Sequence, residues 1–219
     1  MSHSLHRRGN PEDLRQDYII LVTSAKGINN DGAIPYVADI LDMLWNLGPS
    51  NIGSNETGTI LSGVTKEQIR ENLTSIPRIR CNYFSKEKVW QAVKELQKKD
   101  YGLSVVLQGT IEDIEKECRE IGIKPHSVNL SIDIWGKREK LPSEEVLEFV
   151  TMCGHGLISA SLVEYVINRV KDGRMTPEQG VVKMGEPCVC GFFNPERALK
   201  LLKNMVPDND NKRHSMDEE

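Results

Sequence analysis

The sequence predicts an α/β fold, a layered or ferredoxin-like sheet with helices, followed by a small all-helical C-terminal part. Two observations predict it. Through the first 136 residues, short apolar runs typical of strands alternate with segments whose apolar residues recur at helical spacing. After Gly136 the strand-like runs stop, and only helical patterns with polar caps follow. Strand–helix units of this kind form a sheet with helices packed on it.

The first unit begins with a strand over residues 18–23, a short β-branched and aliphatic run. A polar loop containing glycine follows. A helix is then marked by apolar residues at helical spacing, namely Ile34, Val37, Leu41, Leu44 and Trp45. Gly48 and Pro49 end this helix. Residues 49–58 are rich in Asn, Ser and Gly, so we expect another loop there.

The later units follow the same plan. Further strands are predicted over residues 79–84, 103–107 and 128–134, where apolar residues alternate with polar ones or form short runs. Side chains that accept backbone N–H groups at helix starts are expected at Thr65, Ser85, Thr110, Ser143, Thr176 and Asn194. The last three of these open helices of the C-terminal part.

These patterns divide the chain into four parts. They are a mobile N-terminus (1–16), an α/β domain (17–136), a helical subdomain with cysteines and histidine (137–205) and a disordered tail (206–219). The helical subdomain is small enough that a bound metal ion would help it to fold.

Composition excludes several classes of protein. The net charge of -4 gives no indication of nucleic-acid binding. No apolar run reaches the roughly 18 residues that span a bilayer, and the basic N-terminus lacks the apolar segment of a secretory signal. Five cysteines, an odd number, do not suggest a disulfide framework. We therefore expect a protein of the reducing cytoplasm.

Three cysteines and a histidine stand in two glycine-flanked pairs, Cys153 with His155 and Cys188 with Cys190. Thiolate and imidazole bind zinc and iron–sulfur centres, so these four residues predict a shared metal site. One residue between paired ligands departs from the two to four usual in zinc knuckles, and an iron–sulfur cluster or zinc both stay open. The alternative is reduced cysteines in glycine turns with a surface histidine. Cys81 and Cys118 are expected in the core.

Residues 152–158, Met-Cys-Gly-His-Gly-Leu-Ile, resemble the nucleophile segment of the proline racemase and hydroxyproline epimerase family. The resemblance implies that Cys153 acts as the proton-transfer thiol and that His155 lines its pocket. A thiol beside N–H groups at a helix start is expected to have a lowered pKa. The resemblance covers these seven residues, whereas the family's chains are longer and built of two similar halves.

A loop after the first strand is a second candidate site. Lys26, Gly27, Asn29 and Asn30 lie between a predicted strand and a predicted helix, where α/β proteins often bind a small anionic ligand. The loop matches neither common phosphate-binding motif, and a solvated loop is the alternative interpretation.

We therefore expect a metal- or iron–sulfur-binding accessory protein with a carrier, assembly or regulatory role in redox or cofactor metabolism. Its partner would be a redox or assembly protein. Two other functions stay open. One is a small-molecule enzyme that uses Cys153 as nucleophile or acid/base thiol. The other is an interaction module with structural zinc.

Overall fold

The computed structural model describes residues 7–205 and contains one five-stranded antiparallel sheet. The strands are β1 (Tyr18–Thr23), β2 (Asn51–Ser54), β3 (Gly58–Thr59), β4 (Arg78–Tyr83) and β5 (Ser104–Gln108). Their order across the sheet is β3-β2-β4-β1-β5. The predicted disordered tail and the first six residues of the predicted mobile N-terminus lie outside the described residues.

Nine α-helices are found within residues 7–205. They are α1 (Pro11–Leu14), α2 (Ile34–Asn46), α3 (Lys66–Glu71), α4 (Lys86–Lys99), α5 (Ile111–Glu120), α6 (Glu144–Val150), α7 (Ala160–Lys171), α8 (Pro177–Gly185) and α9 (Pro195–Met205). Short 3-10 turns cover Ile60–Ser62 and Arg138–Lys140.

The sheet confirms the predicted fold class. Two β-α-β units, β1-α2-β2 and β4-α4-β5, interleave so that β4 lies between β2 and β1 while β5 lies on the far side of β1. This is the ferredoxin-like arrangement. The two-residue strand β3 extends it beyond β2.

The two faces of the sheet support separate cores. Successive side chains of a strand point to opposite faces. Tyr18, Ile20 and Val22 of β1 belong to a core with helices α2 to α5. Ile19 and Leu21 belong to a second core with helices α6 to α9. The sheet is therefore the middle of three layers, and the C-terminal helices cover its second face.

Helix starts confirm most of the predicted caps. The side chains that accept a backbone N–H are Thr65, Ser85, Ser143, Thr176 and Asn194. Thr110 precedes α5 without such a bond, and its hydroxyl donates to Asp113 at 2.9 Å instead.

Two segments differ from their predictions. Residues 49–58 were predicted as a loop, yet they contain β2 and the first residue of β3. All of β2 is buried, but Ile52 is its one large apolar residue, so apolar periodicity does not reveal this strand. The strand predicted over residues 128–134 is wrong, since that stretch has no regular secondary structure and no strand partner within residues 7–205. Alternation specifies two faces of a strand but supplies no neighbour to pair with.

Candidate thiol site

The C-terminal helices bring two cysteine turns together on the second face of the sheet. Cys153 lies in the turn between α6 and α7, and Cys188 and Cys190 lie in the turn between α8 and α9. Helix α8 packs against both α7 and α9, which places the two turns side by side. All three sulfur-bearing residues are at most 3% exposed.

The three thiols form a chain of contacts. Cys188 Sγ lies 3.9 Å from Cys190 Sγ. Cys153 lies near enough to Cys188 for the two thiols to shift each other's pKa. All five cysteines of the protein are free thiols. The three cysteines thus lie in one buried core, although Cys153 is 35 residues before Cys188 in the sequence.

Backbone N–H groups surround these sulfur atoms. The amides of His155 and Leu157 act to lower the pKa of Cys153, that of Phe193 acts to lower the pKa of Cys188, and that of Phe192 acts to lower the pKa of Cys190. Hydrogen bonds to sulfur favour the charged thiolate. The glycine turns therefore supply both the cysteines and the donors that stabilise their ionised form.

The three thiols differ in pKa because each has different contacts. The interaction with Cys188, followed by burial, raises the pKa of Cys153 well above its ordinary value. The interaction with Cys153 lowers the pKa of Cys188, but the interaction with Cys190 and burial outweigh it and raise that pKa to about 11. The bond from Cys188 lowers the pKa of Cys190. Cys190 is therefore the sulfur that ionises first.

A buried arginine on the sheet faces this site. Arg80 of β4 is 4% exposed, and its guanidinium carbon lies 6.0 Å from the ring centre of Phe192. Burial lowers the pKa of Arg80, while the attraction of Cys190 opposes that shift. Its Nε and Nη1 atoms are buried without a hydrogen-bond partner within residues 7–205. Positive charge and unused donors thus lie beside the thiols.

A second arginine, Arg7 of the N-terminal segment, also contacts the cysteine turn. Arg7 donates to the carbonyl oxygen of Phe192 and to Asp17, the latter at 2.7 Å. Burial lowers the pKa of Arg7, against the opposing attractions of Asp17, Cys188 and Cys190. The segment that contains Arg7 therefore lies over the cysteine turn.

Asp17 joins this segment to the sheet and to α9. It accepts hydrogen bonds from Asn82 of β4 at 2.8 Å and from Asn194 at 3.0 Å. It also accepts from Arg197 of α9 at 3.1 Å, and both charged side chains of that pair are fully buried. A carboxylate with these donors holds the N-terminal segment, β4 and the start of α9 together beside the thiol site.

His155, the fourth predicted ligand, is placed differently from the cysteines. Its side chain is exposed, and its backbone amide is the group that contacts Cys153. Within residues 7–205, no group of three or more His, Cys, Asp or Glu side chains is arranged as a ready metal site. Metal ligation by Cys153, His155, Cys188 and Cys190 therefore stays a prediction, and the structure brings together the three cysteines.

The loop with Lys26, Gly27, Asn29 and Asn30 uses most of its polar groups internally. Asn29 accepts from the amide of Ala25 at 2.7 Å and donates to the carbonyl of Gly102 at 2.7 Å. Asn30 accepts from the amide of Gly27 at 2.6 Å. Lys26 is exposed. These bonds give the loop a defined shape, and binding of an anionic ligand stays a prediction.

Sequence reasoning did not find Arg80, Arg7 or Asp17. One signal was present: Arg80 and Asn82 alternate with the apolar Ile79 and Cys81 in a predicted strand, so one face of that strand is polar. A polar strand face of this kind is expected equally when the face is exposed to solvent and when it lines a buried site. Its burial depends on the C-terminal helices, which pack against it from more than 60 residues away.

No protein-family model, curated protein or solved structure matches this chain. Among residues 7–205, every helix is too short or too polar to cross a bilayer.

Proposed function

We propose that this protein is a metal- or iron–sulfur-binding accessory protein of the cytoplasm, with Cys153, Cys188 and Cys190 as thiolate ligands. The observation that carries the proposal is the 3.9 Å between Cys188 Sγ and Cys190 Sγ. Two thiolates bound to one tetrahedral metal atom at about 2.3 Å lie about 3.8 Å apart. Cys188 and Cys190 are therefore already spaced to share one metal atom.

The electrostatics of the site also support the proposal. Three thiolates around a divalent metal ion leave excess negative charge, which is costly to bury unless it is compensated. Arg80 and Arg7 supply positive charge beside the sulfurs, and two nitrogen atoms of Arg80 have no partner within residues 7–205. The four backbone N–H donors add to this compensation, as hydrogen bonds to sulfur do in iron–sulfur proteins.

Burial favours a regulatory role over a carrier role. A carrier passes its metal to a partner by ligand exchange, which needs an accessible sulfur. Here the three cysteines are at most 3% exposed and the segment with Arg7 lies over them. The geometry fits better with a metal or cluster that stays bound. Its loss or oxidation would change the position of the segment with Arg7, and a redox or assembly protein would bind to that changed surface.

Metal analysis of protein purified without oxygen tests the proposal. We expect about one zinc ion per chain, or iron with sulfide and a brown colour. The variants Cys188→Ser and Cys190→Ser should lose the metal, whereas Cys118→Ser, which changes a thiol in the other core, should retain it. His155→Asn separates a three-cysteine site, which keeps its metal, from the predicted four-residue set. A wild-type protein that takes up neither metal after reconstitution would refute the proposal.

The thiol enzyme is the second candidate, and its support is the pair of amides that donate to Cys153. The raised pKa of Cys153 weighs against it, because the predicted lowering of that pKa is wrong and a neutral buried thiol is a poor nucleophile. Fast alkylation of Cys153 alone in metal-free protein would favour the enzyme instead.

A further inference from the structure

Two arginines of β4 lie side by side without a carboxylate to pair with. Arg78 and Arg80 are two residues apart in the strand, so both side chains leave the second face of the sheet, about 7 Å from each other. Within residues 7–205 neither forms an ion pair, in contrast to Arg7 and Arg197, which share Asp17. The strand therefore holds two neighbouring positive charges that no carboxylate of this part of the chain neutralises.

The nitrogen atoms of these two side chains are buried and unpartnered. Nε of Arg78, and Nε and Nη1 of Arg80, have no hydrogen-bond partner within residues 7–205. Arg80 is 4% exposed, so bulk water does not serve its guanidinium. Buried donors are normally hydrogen-bonded, and the penalty for leaving one unpaired is larger when the group is charged. These three N–H groups are the donors that an anionic oxygen ligand would use.

The negative groups nearest to Arg80 do not neutralise both arginines. Cys190 attracts Arg80, but one thiolate offsets one charge. Three thiolates with a divalent metal ion would also leave one negative charge, so the second positive charge remains whether or not a metal is bound. Glu56 also acts on Arg80, but its side chain is exposed and accepts from Ser54 at 2.9 Å, and water screens a carboxylate in that position.

We propose that Arg78 and Arg80 form a binding site for a phosphate group, either the free ion or the phosphoryl end of a small molecule. A phosphoryl group carries a charge of about −1.5 to −2 at pH 7 and three strong acceptor oxygens. It therefore matches the two positive charges and the three unpartnered N–H groups. The planar guanidinium also presents its donors in the fork that fits phosphate oxygens.

The polarity of the strand face places the anion at the Arg78 end. In the other direction the face continues with Asn82, opposite Asn51 of β2, and both side chains carry a buried, unpartnered Oδ1 acceptor that would repel an anion. Arg78 is partly exposed, and beyond it the same face carries Thr23 and the exposed hydroxyl of Ser104. A ligand can thus approach from solvent on this side and reach the buried guanidinium of the next residue on the face.

Calorimetric titration of inorganic phosphate into the full chain tests the proposal, with sodium chloride adjusted to keep the ionic strength constant. We expect saturable binding of one ion per chain. Arg78→Gln should weaken the affinity about tenfold or more, because a charge-assisted hydrogen bond is lost. Arg78→Lys, which keeps the charge without the fork, should restore part of it. The control is Arg169→Gln, since Arg169 also has a buried, unpartnered Nε but lies over the ring of Tyr165, and its loss should leave binding unchanged.

Two further ligands distinguish the sources of the phosphate. Glycerol 3-phosphate that binds more tightly than inorganic phosphate identifies a phosphorylated small molecule, and equal or weaker binding identifies the free ion. Succinate that binds in place of both overturns the phosphate assignment, because the site would then select carboxylates.

Wild-type protein without saturable phosphate binding overturns the proposal, as does unchanged affinity in Arg78→Gln. If Arg78→Gln does not fold, Arg78→Lys decides alone: weaker binding supports the site and unchanged binding overturns it. The inference does not rest on the metal proposal. Metal content measured on the same samples separates the two, since metal-free protein that binds phosphate would refute the metal proposal alone.

Discussion

Gly191 lies directly against the backbone of Arg80. A Cβ atom at residue 191 would stand 2.9 Å from the Arg80 carbonyl oxygen, closer than real Cβ contacts allow. The φ of Gly191 is +87°, in the left-handed region that favours glycine. The turn that carries Cys188 and Cys190 therefore packs directly against the backbone of strand β4. The sheet thus helps to determine the positions of the two sulfur atoms.

We expect Gly191→Ala to displace this turn, because it adds both a steric conflict and backbone strain. The free energy of unfolding should fall by about 2–4 kcal/mol, and metal binding should weaken. Gly173→Ala is the control, since Gly173 has a φ of +69° but nothing within 4 Å of its would-be Cβ. It should cost about 1 kcal/mol from strain alone. Equal losses in chemical denaturation would mean that the contact with Arg80 is unimportant.

Asp17→Asn should be one of the most destabilising single substitutions in the chain. It leaves Arg7 and Arg197 buried without a carboxylate, which typically costs about 3–5 kcal/mol. Asp42→Asn makes the same chemical change in an ion pair with Arg70 whose side chains are 31% and 48% exposed. That loss should stay below about 1 kcal/mol. Urea unfolding of both variants measures the difference, and similar midpoints would contradict the central role of Asp17.

The segment around Arg7 should control access to the thiols. We expect Arg7→Leu to speed alkylation of Cys188 and Cys190 in metal-free protein about tenfold or more, because the side chain that holds this segment to Phe192 is lost. Arg15→Leu is the control, since Arg15 is 53% exposed and pairs with Asp113 at 3.6 Å.

Mass spectrometry of labelled peptides gives the rate for each cysteine. Cys81, in the other core, reports global unfolding in the same sample. If Cys81 accelerates as much as Cys188 and Cys190, the effect is loss of stability and the covering role of Arg7 is wrong.

Cys81 should make stability fall at alkaline pH. Burial raises the pKa of Cys81 from an ordinary 9.0 to about 12. Below pH 9 the thiol is protonated in both states. Between pH 9 and 12 it ionises in the unfolded chain alone, so the folded state loses about 1.4 kcal/mol per pH unit there.

Denaturation of Cys81→Ala over this pH range should show a shallower decline than wild type, offset by a pH-independent loss from the cavity. Val93→Ala removes apolar volume from the same core without removing a titrating group, so its curve should run parallel to that of wild type. A Cys81→Ala curve that also ran parallel to wild type would contradict the raised pKa.

Local signals in the sequence were sufficient for most helices and for three strands. The cap of α8, for example, needs only Thr176 and Gln179, which exchange hydrogen bonds within four residues. Strand β1 needs only its apolar run, because both of its faces are buried. Such features are decided by neighbours in the sequence, and so their prediction does not depend on the rest of the fold.

The geometry of the thiol site could be predicted only in part from local sequence signals. The two pairs could be recognised as chemically unusual from their spacing, and the turns were expected to meet. The exposure of the His155 side chain beside a buried Cys153 was not decided by their spacing, because both residues belong to one short turn rich in glycine. Which of them turns inward depends on the packing of α6 and α7.

The sequence by itself determined the fold class, most helix starts and the placement of Cys81 and Cys118 in the core. Only the tertiary structure decided that β2 joins the sheet, that Arg80 and Arg7 are buried beside the thiols, and that residues 128–134 join no strand of the part of the chain that the structure describes. The physical reason is the same in each case. Periodicity records which faces of a segment differ, whereas burial and strand pairing depend on elements that are distant in the sequence.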